Sequence, residues 1–202
     1  MWTRFSLFGI LAFLLVGFVP HEKNAPKSLR WIICRNSSLV VNGSTNLSRF
    51  SCAINGYPKN DTIKVVRNQY TKKMALFGNM SMEIAGFDCK NKMMTNELRN
   101  TLNQDRYPEI NIEFISINGL PELDSKPIAL NGVVDITIAG IKKRFDINYT
   151  ISIDENKEIR MLALRDVNFS DFGLAPPKKL GKLVQAKNRL GVTLNLRMKA
   201  LE

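Results

Sequence analysis

One histidine, His21, three cysteines, Cys34, Cys52 and Cys89, and 18 acidic side chains are the groups in this 202-residue chain that could carry covalent or proton-transfer chemistry. His21 sits beside an apolar N-terminal segment, outside the part that reads as folded. Ser-His-Asp triads, Cys-His dyads and multi-histidine metal sites therefore lack their imidazole. No Cys-x-x-Cys pair occurs, which removes thioredoxin-type redox chemistry. Cys89 is a nucleophile in principle, yet no base can be assigned to it. Asp105 and Glu109, which flank Arg106 and Tyr107, read as solvated surface charge. Asp171-Phe172-Gly173 repeats the kinase triplet that binds magnesium, but the Gly-rich loop and catalytic-loop motif that give it that meaning do not occur. Here it reads as a turn, with Phe172 packing and Gly173 in an unusual backbone conformation. No cofactor or metal is expected from these side chains, most familiar hydrolase chemistry falls away, and an enzyme of another type would have only its cysteines and carboxylates to work with.

Residues 1–20, MWTRFSLFGILAFLLVGFVP, carry Arg4 as their only charge, followed by a long apolar run. That is the pattern of a secretory signal, with retention as an N-terminal anchor as the alternative. The reading is then 1–20 signal peptide or anchor, 21–27 short linker and 28–202 a single domain, periplasmic or otherwise exported to the cell envelope. An odd cysteine count in an oxidising compartment predicts one disulfide and one free thiol. Three pairings are open. Cys34 lies near the start of the fold, whereas Cys52 and Cys89 lie within it, which favours Cys52 with Cys89; the alternative leaves all three reduced and buried.

Charge points to partners. With 29 Lys and Arg against 18 Asp and Glu, the chain carries a formal +11, which draws it toward an anionic membrane surface. The basic clusters, Lys72-Lys73, Lys142-Lys143-Arg144, Lys178-Lys179 and Lys182, are short and dispersed. None interleaves with the aromatics that single-strand binders use, so nucleic acid is not expected as a partner.

The elements that must position any site are mostly strands. Phe145, Ile147, Tyr149, Ile151 and Ile153 alternate with Arg144, Asp146, Asn148, Thr150 and Ser152, which buries one face and wets the other. The same period of two runs through Leu130, Gly132, Val134, Ile136 and Ile138, and through Leu190, Val192, Leu194, Leu196 and Met198. It is shorter in Met80, Met82 and Ile84, and in Ile110, Ile112 and Phe114. Ala139-Gly140 supplies a hairpin turn, and Asn131-Gly132, inside a strand pattern, suggests a bulge. Met94, Leu98 and Leu102 recur every four residues in Asn91–Asn103, a helical stripe that Pro108 terminates. A second short helical turn is expected over Pro177–Lys182. About eight or nine antiparallel strands with one apolar face must close into a barrel or fold into a sandwich, because open edges aggregate. An eight-stranded barrel is just wide enough to be filled by side chains or to hold one small ligand.

FDCKNKMMTNELRNTLNQDRYPEINIEF at 87–114 and DVNFSDFGLAPPKKLGKLVQAKNRLGVTLNL at 166–196 resemble the YceI-like family of bacterial envelope proteins. The order of features agrees too: a strand, a Met-bearing helix, Tyr-Pro-Glu-Ile leading into the next strand, a central hairpin with Ala-Gly before basic residues, then Asp-Phe-Gly. The resemblance covers roughly 37–200 and points to a divergent branch with Cys at 52 and 89 and a double proline at 176–177. It implies an all-β, lipocalin-like antiparallel barrel of about eight strands with one inserted helix. It also implies non-covalent binding of a polyisoprenoid or similar apolar lipid in the lumen. The candidate liners are the alternating apolar positions Met80, Met82, Ile84, Ile112, Phe114, Ile136, Ile138, Phe145, Ile147, Tyr149, Leu194 and Leu196. A filled barrel core would use the same residues. That opens a second expectation, an envelope interaction module whose basic exterior binds anionic headgroups, glycans or a membrane partner. A headgroup site at Lys142, Lys143 or Arg144 belongs to the first expectation.

Overall fold

The computed structural model describes residues 28–67, 71, 73–119, 125–179 and 183–201. The segment read as signal or anchor and the linker at 21–27 lie outside them. Among the described residues, no helix is long and apolar enough to cross a membrane.

Alternation becomes pairing almost everywhere it was legible. The strands are β1 (Ser28–Ile33), β2 (Ser38–Ser44), β3 (Arg49–Asn55), β4 (Thr62–Arg67), β5 (Met74–Glu83), β6 (Glu109–Ile117), β7 (Ile128–Ile138), β8 (Ile141–Ile153) and β9 (Ile159–Asn168). The short β10 (Lys178–Lys179) and β11 (Val184–Gln185) pair with each other, and β12 (Arg189–Leu201) ends the fold. Strands β1, β4, β5, β6, β7, β8, β9 and β12 pair in that order, and β12 returns to β1, giving a closed eight-stranded antiparallel barrel. Closure gives each of these strands a partner on both sides, which removes the long open edges that invite aggregation. β12 is long enough to serve two partners in succession: Gly191–Asn195 pair with β2, and Met198–Leu201 with β1. The β2–β3 hairpin thus grafts onto the barrel wall beside β1.

β8 shows why the wall forms. Phe145, Ile147, Tyr149 and Ile151 are buried while the residues between them are exposed, the pattern of a sheet with one dry face. The β7–β8 hairpin turns on Ala139 (φ 50°) and Gly140 (φ 79°), the doubly left-handed geometry whose twist matches the flanking strands. A Cβ on Gly140 would meet the Tyr107 ring at 2.8 Å. The bulge expected at 131–132 falls instead on β6, where the register slips between Phe114 and Ser116. Gly132 stays in register and is small for another reason: a Cβ there would lie 2.4 Å from the Ser116 carbonyl oxygen and 2.6 Å from the Tyr149 ring.

The helical stripe forms α1 (Lys92–Thr101), inserted between β5 and β6. The Asn91 side chain accepts from the Met94 N–H at 3.1 Å and caps its first turn. Leu98 and Leu102 are buried. The turn expected at Pro177–Lys182 is not helical where it is described: Lys178 and Lys179 form β10, whose ladder to β11 satisfies backbone groups that a helical turn would have used.

Candidate functional site

An internal cavity of about 90 Å³ lies in the half of the barrel nearest α1. β2, β6, β7, β8, β9 and β12 supply its walls, and Phe87, Leu98 and Leu102 close it from the helix side. β1, β3, β4 and β5 contribute nothing to it. The reason is packing: Trp31 stands opposite Ile63, and Ile33 opposite Met198, all at 1% exposure or less, so that side of the barrel is solid.

This division sorts the candidate liners. Ile112 and Phe114 on β6, Ile136 and Ile138 on β7, Ile147 and Tyr149 on β8, and Leu194 on β12 line the cavity. Met80, Met82 and Ile84 are buried in the same core but lie on β5 and just after it, away from the cavity. Phe145 and Leu196 are buried and do not line it either. The walls missed at the level of sequence include Leu39 and Val41 on β2 and Leu98 and Leu102 on the helix. The helical stripe was legible, but its facing a lumen was not.

Two lining residues carry polar groups that matter. The Tyr149 hydroxyl is buried with no hydrogen-bond partner, and burial pushes its phenol up from the ordinary value. Arg165, on β9 between the inward-facing Ala163 and Val167, is the one charged side chain among the described residues that line the cavity. Its guanidinium carbon sits 5.5 Å from the centre of the Phe145 ring, within cation–π range.

The cations expected to form a headgroup site are already engaged. Lys142 bonds Glu113 at 2.7 Å, and Lys143 pairs with Asp171. Arg144 forks onto Asp135 at 2.7 and 2.9 Å. The Arg144 hydrogen bond holds Asp135 below the usual carboxylate range, and the Lys143 hydrogen bond does the same for Asp171.

A docked plug holds the helix end. Cys52 on β3 is bonded to Cys89, just before α1, which leaves Cys89 no thiol to act as a nucleophile. Ala53 and Asp88 exchange backbone hydrogen bonds at 2.9 Å beside it. The Thr95 hydroxyl accepts from the Cys89 N–H at 3.0 Å, and Arg99 donates to the Phe87 carbonyl at 2.8 Å. The third cysteine, Cys34, is a half-buried free thiol whose pKa burial raises, which keeps it protonated and slow to react. Among the described residues, no three His, Cys, Asp or Glu side chains cluster to hold a metal.

Asp171-Phe172-Gly173 is structural. Phe169–Phe172 form a 3-10 turn, Asp171 accepts from the Asn168 N–H at 2.8 Å, and Gly173 ends the turn at φ 66°. Phe172 packs on Phe145 with ring centres 5.9 Å apart.

A family model described as the YceI-like domain matches residues 32–199. No curated protein sequence matches the chain. Among solved structures, BcnA of Burkholderia cenocepacia superposes with a TM-score of 0.59 at 14% identity, over 80% of this chain and 95% of that one. A polyisoprenoid binding domain from Saccharophagus degradans, implicated in plant cell wall breakdown, superposes with a TM-score of 0.60 at 8% identity, over 86% of this chain and 99% of that one. At such identities the likeness is one of fold.

Proposed function

The chain belongs to the YceI-like family, and from that premise we propose that it is a non-catalytic binding protein that holds a polyisoprenoid or similar apolar lipid in its barrel lumen within the cell envelope. The carrying observation is the character of the cavity: of its twenty lining residues, Arg165 alone is charged and Tyr149 is the other with a polar side chain. Such a wall offers a sugar few hydrogen-bond partners and a hydrocarbon an almost continuous apolar surface. Each methylene buried there contributes about 0.8 kcal/mol, so roughly ten buried carbons would supply micromolar-class binding before the cost of ordering the chain. The name of the Saccharophagus domain supports the choice of isoprenoid, and the apolar segment at 1–20 supports the envelope.

Size favours the other reading. At about 90 Å³ the cavity is well below the ~300 Å³ of a small-molecule site, so a lipid chain enters only as the lining side chains give way. A filled barrel whose basic exterior meets anionic headgroups, glycans or a membrane partner is the alternative. Native mass spectrometry with organic extraction, on the chain purified from its own envelope without detergent, separates the two. We expect a reproducible adduct of several hundred daltons that extracts as a prenyl or acyl lipid. A bare chain that takes up no offered isoprenoid would overturn lumen binding.

A further inference from the structure

We propose that Arg165 marks a lateral portal in the barrel wall, where it binds the anionic head of a single-chain lipid whose tail occupies the lumen. This rests on the lumen-binding reading above and specifies the ligand class within it.

The wall is unzipped at this point. β8 and β9 pair from Ile153–Ile159 only as far as Asn148–Leu164, although β8 continues back to Ile141 and β9 forward to Asn168. β9 keeps its other partner throughout, with Arg165 opposite Val192 and Asn168 opposite Arg189. The Phe169–Phe172 turn reaches across the fork, tied to β8 through Lys143–Asp171 and Phe145–Phe172. The result is a gap between strand ends rather than a continuous ladder.

Arg165 is the first residue of β9 beyond the last β8 partner. It lines the internal cavity, and it also borders an outer depression with Asn148, Leu164 and Asp166. In an intact wall, a side chain of the inward parity sees only the inside. Arg165 has that parity and lines the cavity, yet it is exposed, so inside and outside meet at its side chain. Leu164, 50% exposed at the outer lip, gives an arriving tail an apolar first contact.

The charge is placed to be used. Alternation along Met161, Ala163 and Val167 asks for an apolar side chain at 165, and the chain has an arginine there. Among the described residues its guanidinium has no carboxylate partner, whereas the neighbouring acid Asp166 is engaged by Arg189. Lys142, Lys143 and Arg144 are likewise paired. The guanidinium carbon lies 5.5 Å from the Phe145 ring centre, which places the group beside the fork, and arginine binds anionic oxygens two at a time.

Geranylgeranyl monophosphate and geranylgeraniol share one tail and differ only in the head, so their affinities for the full chain, measured by titration in detergent-free buffer, test the proposal. We expect the phosphate to bind at least about tenfold tighter than the alcohol. Arg165→Gln should erase that preference by lowering the phosphate's affinity to that of the alcohol, and Arg165→Lys should restore part of it. Equal affinities for the two probes would overturn the Arg165 assignment and leave lumen binding standing. A preference that survives Arg165→Gln would place the head elsewhere and overturn it as well. Failure of both probes to bind would remove both readings. Tight binding of inorganic phosphate alone, abolished by Arg165→Gln, would show that a free anion rather than a lipid is the ligand and would also overturn it. Arg165 is exposed, so both variants should keep the near-UV circular dichroism of the parent.

Discussion

Tyr149 is a buried aromatic whose body suits a dry cavity and whose hydroxyl does not. The ring lies over Gly132, and the oxygen finds no partner. A buried hydroxyl left unpaired costs on the order of 1–3 kcal/mol. Tyr149→Phe should therefore raise the stability of the protein without added lipid by about 1 kcal/mol, read as a higher urea midpoint at unchanged slope. A lower midpoint would mean that the hydroxyl is satisfied and that the wall is less dry than its side chains indicate. The burial of Tyr149 was legible, since it falls on the inward parity of β8. The lack of a partner was not, because that depends on which side chains face it from β6, β7 and β9.

At the scale of elements, the Phe169–Phe172 turn bridges the separated ends of β8 and β9, and Asp171 is its latch. The carboxylate is held by Lys143 and by the Asn168 N–H. Lys143 depresses its pKa in the folded protein, so the native state binds this proton less readily than the unfolded chain does. The stabilisation is then fully present above the unfolded carboxylate value of about 3.9 and is lost as pH falls through the lower folded value. Asp171→Asn should cost about 1 kcal/mol at pH 7, and denaturation curves of parent and variant should converge at acid pH. A gap that stayed constant down to pH 2 would mean that hydrogen-bond geometry, not the charge, holds the latch. The turn itself was readable from Asp-Phe-Gly, but its role as a bridge was not, because Lys143 and Asp171 are brought together only when β8 and β9 fork. The same limit explains β10 and β11. Pro177 and Gly181 mark ends for many kinds of segment, and only the neighbouring strand selects the extended one.

For the molecule as a whole, the Cys52–Cys89 bond ties the β2–β3 hairpin to the helix that closes the cavity, across a sequence separation of 37. Closing a loop of that length is worth about 4 kcal/mol in the chain-entropy model, with measured values more often 2–4. The double variant Cys52→Ala/Cys89→Ala should lose stability in that range by chemical denaturation, and non-reducing digestion of the parent should yield the linked peptide. Recovery of both as alkylated free thiols from protein folded in an oxidising compartment would contradict the bond. Because the bond ties β3 to the segment leading into the helix that closes the cavity, added lipid should protect the variant less than the parent.

The chain by itself determines what its local chemistry can express. A single histidine leaves multi-histidine metal sites without their ligands, and a period of two over 130–138, 143–153 and 190–198 makes strands with one dry face. A four-residue stripe makes α1, and Ala139-Gly140 makes the hairpin. All of these depend on neighbours within a few residues. Tertiary structure decided the rest, because parity says which way a side chain points and not what stands opposite. Closure of β12 onto β1 brings residues from the two ends of the fold together. Trp31, Ile33 and Ile63 fill one side, so Met80, Met82 and Ile84 became core rather than cavity wall. The early end of the β8–β9 ladder turned Arg165, an interruption in an apolar row, into the charged edge of an opening.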